Sequence, residues 1–302
     1  MPDERRELEL RGPLELGSTL GPLVHGRGDR TIRLTRIDAW IALRTEAGPA
    51  TLRITHDGPR RAHATAWGPG AEHALERAPA LIGEFDEPEL LVAHHPIVRR
   101  LQRAHGGLRL PRIGNVLHAL VPSILEQKVT GTEAFRAYAA LQRALGEPAP
   151  GRGGEAGLLL PPDPRRLAGL PYHAYHPFGI ERRRADVIRR AASVAGWLEA
   201  ADSAEEAGRR LRSLPGIGPW TTAEVLRSAF GDPDAVSVGD FHIPNAVAWV
   251  LAGEPRGTDE RMLELLEPYR GQRGRVQRLL EVARLTAPRY GPRTAPRRIE
   301  AI

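Results

Sequence analysis

The sequence predicts a mainly α-helical protein with a small antiparallel α+β domain at its N-terminal end. Three observations lead there. Through the first eighty-odd residues, apolar and polar side chains alternate in short runs separated by Gly, Pro and Asp, the pattern of half-buried strands. From Glu87 onward the apolar residues recur every three to four positions, the period of amphipathic helices. Two of those helices are joined by Leu214-Pro215-Gly216-Ile217-Gly218-Pro219-Trp220-Thr221, a Pro-Gly turn that opens directly into a helix. The reading divides the chain into an N-terminal domain (1–86), a helical region (87–287, with the hairpin at 214–219) and a basic, loose tail (288–302).

In chain order, strands are expected at Glu7–Leu16, Thr31–Leu43, Ala50–Thr55 and Ala62–Trp67. Turn signals separate them at Gly26-Arg27-Gly28-Asp29, Ala47-Gly48-Pro49 and Asp57-Gly58-Pro59. A helix from Ala71 to Ile82 covers one face of the sheet. The helical region opens with Leu90, Leu91, Val98 and Leu101 on one side and Arg99, Arg100 and Arg103 on the other. Ile113–Gln127 follows, with Val116, Leu117, Leu120, Ile124 and Leu125 as its apolar face, and then Glu133–Leu145. Gly146–Pro164, rich in Gly and Pro, reads as a surface excursion. Arg182–Glu199 is the next helix, and its Glu181–Arg184 start reads as solvated. Ser203–Leu214 enters the hairpin and Pro219–Phe230 leaves it. Phe241–Leu251, Glu260–Leu266 and Arg273–Ala287 complete the bundle.

The net charge of +6 and pI near 10.3 favour a polyanionic partner. Of the 43 basic residues other than histidine, Lys128 alone is lysine. With no cysteine, the chain has no disulfide, thiolate metal site or cysteine nucleophile. His94-His95 and the His173/His176 pair lack the spacing or the partners of a metal site, so no metal held by side chains is expected. No apolar run approaches the roughly 20 residues of a membrane span, and the polar start is no signal peptide. The expected protein is soluble and cytoplasmic, nucleoid-associated in a bacterium, and monomeric.

The hairpin stretch carries its own chemistry. Gly216 and Gly218 permit positive φ and close approach of backbone to a ligand. Pro219 suits the first helical position, and the helix beyond it offers unpaired N–H groups to an anion such as a DNA phosphate. Twenty residues past Trp220 comes Val236-Ser237-Val238-Gly239-Asp240-Phe241-His242-Ile243, with Asp240 placed to cap an apolar helix.

Hairpin and aspartate at this separation resemble the helix–hairpin–helix (HhH-GPD) DNA glycosylases of base-excision repair, and among them the 3-methyladenine DNA glycosylase II (AlkA-type) branch. The resemblance runs from about Glu84 to Ala287, and more weakly through the N-terminal hundred residues. It implies a two-lobed helical bundle behind an N-terminal α+β domain. It also implies an enzyme that flips an alkylated base out of double-stranded damaged DNA and hydrolyses its N-glycosidic bond. The resemblance makes Asp240 the catalytic carboxylate and Trp220 and Tyr269 pocket aromatics, with Glu224 at the position of a family tyrosine. Gly216, Gly218, Thr221, Gln127 and Lys128 are implied as DNA contacts, Lys128 standing where the family's gap-filling residue stands. A monovalent cation at the backbone of Leu214 and Ile217 is implied as well. No other cofactor is, and the absence of cysteine excludes the iron–sulfur cluster of some relatives. Two alternatives remain open: a non-catalytic helix–hairpin–helix DNA-binding protein, and a bifunctional glycosylase/lyase for oxidised bases, whose lysine position holds Trp220.

Overall fold

The computed structural model describes residues 4–58, 60–288 and 296–299. Five strands form one antiparallel sheet: β1 (Glu4–Glu9), β2 (Ile32–Leu34), β3 (Asp38–Thr45), β4 (Gly48–Gly58) and β5 (Arg61–Trp67), in the order β1-β5-β4-β3-β2. The first strand starts earlier than expected, at Glu4, and Ala50–Thr55 extends to Gly48–Gly58; two larger differences have local causes. The run Glu7–Leu16 ends at Glu9, ahead of Gly12-Pro13, and its last leucine opens α1 (Leu16–Leu20). Thr31–Leu43 is two strands, because the Thr35 hydroxyl accepts from the Asp38 amide (2.9 Å) and turns the chain there.

The helices follow in order. α2 (Ala71–Leu81) lies on the sheet, and α3 (Pro96–Ala104) starts later than its periodicity suggested. Next come α4 (Val116–Leu125), α5 (Gly131–Leu145), α6 (Arg152–Glu155), α7 (Pro164–Gly169), α8 (Arg182–Ser193), α9 (Ala195–Glu199) and α10 (Ala204–Arg212). The predicted Arg182–Glu199 helix is thus broken at Val194. α11 (Pro219–Val225) continues to Phe230 as a wider π turn; α12 (Ile243–Ala252), α13 (Asp259–Leu266) and α14 (Arg273–Val282) complete the fold. Among the described residues no helix is long and apolar enough to cross a membrane. The tail expected at 288–302 lies mostly outside the described residues.

Two apolar cores set the architecture. The first joins the inner face of the sheet (Ile41, Leu52, Ile54) and α2 to α4, α5, α8, α10 and α11. The second gathers Val98 and Leu101 of α3, Val247 of α12, Met262 and Leu266 of α13, and Val276 and Leu280 of α14. These are the two lobes. The chain crosses between them in the loop from α11 to α12, where Ala235 belongs to the first core and Val236 to the second.

The expected surface excursion at 146–164 is instead a cover. Ala149, Leu158 and Leu160 pack on Ala42 and Trp40, on the outer face of the sheet. Exposed, that face would leave the stacked Trp40 and Trp67 rings, 5.4 Å apart, in water. Arg184, expected in a solvated helix start, is 2 % exposed and donates to the Leu125 carbonyl at 2.7 Å. It supplies the cation that the C-terminal end of α4 favours, and Glu199 of α9 accepts from the amides of Val116 (2.8 Å) and Leu117 (2.9 Å) at the other end. Burial raises the Glu199 pKa, and those two amide bonds oppose the rise. All ten residues of α4 are buried, so it forms the axis of the first lobe.

Candidate active site

The hairpin follows from α10, which Ser203 caps by accepting from the Glu206 amide, and ends where Pro219 takes the first position of α11. Gly216 has φ +96°, and a Cβ there would collide with Val187 of α8. This position therefore needs glycine for its backbone and for the space α8 leaves. Gly218 differs: its φ of −100° suits any residue, and nothing lies within 4 Å of where its Cβ would stand. That open side is room for an incoming group.

Neighbouring elements hold the turn. Arg190 of α8 donates to the Pro215 carbonyl at 2.5 Å. Gln127, just past α4, donates its amide to the Gly216 carbonyl (3.0 Å) and to the Thr221 hydroxyl (2.8 Å). Gln127 and Thr221 thus meet each other, joining the α4–α5 turn to the hairpin. Lys128 follows, exposed, in the left-handed region with φ +56°.

Asp240 lies at the lobe junction, half-buried. One carboxylate oxygen accepts from the amides of His242 (2.6 Å) and Ile243 (2.9 Å), the other from the indole N–H of Trp220 (3.1 Å). It caps α12 from two residues further upstream than expected, because the helix begins at Ile243 and not at Phe241. Gly239 precedes it with φ +93°, its amide donating to Asp259. Trp220 belongs to the helix of the first lobe and Asp240 to the entry into the second. Their hydrogen bond therefore bridges the two.

One turn along α11, Glu224 makes a second bridge to the same loop. Its carboxylate accepts from the Ser237 hydroxyl and from Arg227 (3.2 Å), and Arg227 reaches Glu281 at 2.6 Å. Gln277 accepts from the Ser237 amide and donates to its hydroxyl, and the Asp240 amide in turn donates to the Ser237 carbonyl (3.1 Å). Burial pushes the Glu224 pKa up, with Arg227 opposing it. Glu224 thus braces the loop that carries Asp240. Tyr269 is 2 % exposed in the second core, its hydroxyl bound to the amide and ring of His95 at 3.0 and 2.6 Å. Burial raises its pKa. Among the described residues no hydrogen bond or ring contact joins it to Trp220 or Asp240.

The comparisons bear on this geometry. No protein-family model matches the chain. A 3-methyladenine DNA glycosylase from Archaeoglobus fulgidus superposes with a TM-score of 0.75 at 17 % identity, over 92 % of this chain and 98 % of that one. MBOgg1, in complex with a low-affinity DNA ligand, gives 0.69 at 15 % identity over 93 % and 98 %. The fold is that of the helix–hairpin–helix DNA glycosylases. An 8-oxoguanine glycosylase/lyase from Clostridium acetobutylicum shares it with a TM-score of 0.59 at 11 % identity, covering 83 % of this chain and 98 % of that one. In sequence, the chain is 27 % identical over 171 residues to a probable bifunctional transcriptional activator/DNA repair enzyme AlkA of Mycobacterium tuberculosis. That match takes in 56 % of this chain and spans about a third (34 %) of the relative's length.

Within this glycosylase fold, the structure adds residues that sequence reasoning passed over. Phe241, read as the first residue of a helix, is 83 % exposed immediately after Asp240. Only the helix's late start releases it, and no periodicity signals that. Arg190, Val187 and Ser237 matter through contacts 13 to 29 residues away in sequence, invisible to local pattern. A cavity of about 240 Å³, lined by Arg44, Arg77, Asn115, His118 and Glu199, lies at the opposite end of α4 from Gln127. None of the predicted site residues lines it.

Proposed function

We propose that the protein is a monofunctional DNA glycosylase of base-excision repair acting on alkylated bases. One observation carries the reading: a carboxylate fixed by three N–H donors at the lobe junction, beside a hairpin open to a phosphate. A base in a duplex leaves the stack before its glycosidic bond is reached. The bond breaks through an oxocarbenium-like sugar, which a nearby carboxylate stabilises while orienting water. An N-alkylated purine is already cationic and needs little acid assistance as it departs. The Trp220 indole, fixed by its bond to Asp240, offers such a base cation–π attraction of about 0.5–2 kcal/mol. Gly216 and Gly218 would present amides to a phosphate of double-stranded damaged DNA.

Similarity to glycosylases of alkylated bases and the AlkA relative support this reading. A monovalent cation fits the hairpin by donor type: the Leu214 carbonyl accepts one bond, from the Ile217 amide, and keeps a second lone pair. The Leu214 and Ile217 carbonyls would hold such an ion and stiffen the turn. A lyase for oxidised bases would need an amine where Trp220 stands. Duplexes with single defined lesions, treated with alkali after incubation, test the assignment. Strand breaks at alkylated purines, without a borohydride-trapped protein adduct, are expected. Breaks at 8-oxoguanine alone, with an adduct, would overturn it.

A further inference from the structure

α5 opens with Thr130-Gly131-Thr132-Glu133, a capping box that satisfies the first amides of the helix. Closing the box takes one carboxylate oxygen: Glu133 Oε2 accepts from the Thr130 amide (2.8 Å) and hydroxyl (3.1 Å). The other oxygen, Oε1, serves a partner far away in sequence. It accepts from the backbone amide of Arg297 at 2.5 Å, and Arg297 Nε stands 3.6 Å from it. Burial acts to raise the Glu133 pKa, but the bonds from Thr130 and Arg297 outweigh it and hold the carboxyl below its usual range. The anchor is therefore an ionised side chain, 6 % exposed, built into the start of the helix.

This contact returns the C-terminal end of the chain from the second lobe, where α14 ends at Val282, to the first. The sequence reading has 288–302 as a loose basic tail; at Arg297 it is held. The place matters, because α5 starts beside the turn that Gln127 ties to the hairpin. Since the amide of Arg297 makes the short bond, its side chain stays outside, 65 % exposed, and Arg298 is exposed after it. Lys128, in the turn itself, is exposed as well. Among the described residues neither Lys128 nor Arg298 has a hydrogen-bonding or ionic partner. Like charges gathered on one rim repel, and an anion placed against them relieves the repulsion. The planar fork of an arginine bonds two oxygens of a phosphate at once.

We infer that the C-terminal segment is an anchored DNA arm: Glu133 holds Arg297 at the start of α5, and Arg297 and Arg298 each neutralise a phosphate beyond those that the hairpin takes. The partner rests on the glycosylase reading, to which the arm adds backbone contacts that no lesion determines. Anchoring is what makes the arm effective. A loose segment would lose its freedom on meeting DNA, whereas one already held by Glu133 presents its guanidinium groups with that ordering done. The anchor also removes an obstacle, since Arg297 covers a carboxylate that would otherwise repel the phosphates nearest the turn.

The test uses the full chain and an undamaged duplex, with affinity read by fluorescence anisotropy over a series of salt concentrations. In the double variant Arg297→Ala/Arg298→Ala, the slope of log affinity against log salt should fall by about 2, at roughly 0.9 per phosphate. Glu133→Gln is the sharper variant, because glutamine closes the same capping box and keeps the helix start. It makes the protein one charge more positive, yet it should bind more weakly and with a slope smaller by about 1–2, because the arm is released. A tail that floats free predicts tighter binding by Glu133→Gln, and a tail that shields the protein from DNA predicts tighter binding by the double variant. Either result, or an unchanged slope in the double variant, would overturn the inference. The duplex has no lesion, so base release plays no part. A chain that excises nothing yet shows these slopes would fail as a glycosylase and leave the arm standing; one that excises alkylated bases with no change of slope would do the reverse.

Discussion

His118 lies in the middle of the first core, 7 % exposed, near the Thr31 hydroxyl at 3.4 Å. Burial pushes its pKa down to about 4, with Asp29 opposing the fall and His25 adding to it. The ring is therefore neutral in the folded protein at pH values where the unfolded chain, near 6.5, already binds a proton. The stability this confers is complete above the unfolded value and is lost as pH falls from about 6.5 to 4, on the order of 3 kcal/mol in all. Thermal melts across that window should show a steep loss in the wild type and a shallower one in His118→Gln. Equal slopes would show that some other group governs the transition. The sequence offered no sign of this residue's burial. Helical periodicity marked Val116, Leu120 and Ile124 as one apolar face, but the sheet and α5 cover the opposite face too, where His118 stands.

The hairpin was legible as an element because its requirements are local: a turn, a glycine with positive φ, a proline at the helix start. Its supports were not, since Arg190, Val187 and Gln127 come from other elements. This split yields a paired prediction. Gly216→Ala should destabilise the fold by about 1–3 kcal/mol, being strained in backbone and blocked by Val187. Gly218→Ala should leave the melting temperature unchanged, since its backbone is extended and its surroundings empty. It should still weaken binding to an undamaged duplex, because the added methyl fills the space a phosphate would use. Melting curves paired with anisotropy titrations separate the two effects. Undiminished DNA affinity in Gly218→Ala would reduce the hairpin to a connector. The same contrast of local and distant causes explains the sheet, whose β5 was read to within one residue and whose β4 was placed correctly but read shorter than its 11 residues. Its outer cover at 147–160 was read as surface because Gly and Pro mask three apolar contacts made far away in sequence.

Across the whole molecule, two cores meet at the loop carrying Asp240, and polar bonds fix how they meet. Asp86 and Arg275, both almost wholly buried, pair beneath α14, and Arg275 also donates to Gln272. The Glu224–Arg227–Glu281 group ties α11 to α14 through Ser237. Both lobes grip the same carboxylate, so its position is set by the fold and not by a flexible side chain. The most direct test is single-turnover base release by Asp240→Asn from a duplex with one alkylated purine, with affinity for that duplex measured alongside. Asparagine retains an oxygen for the His242 and Ile243 amides and gives up the charge. Release should fall by at least about a hundredfold while affinity is unchanged or tighter. Release at the wild-type rate would contradict the account.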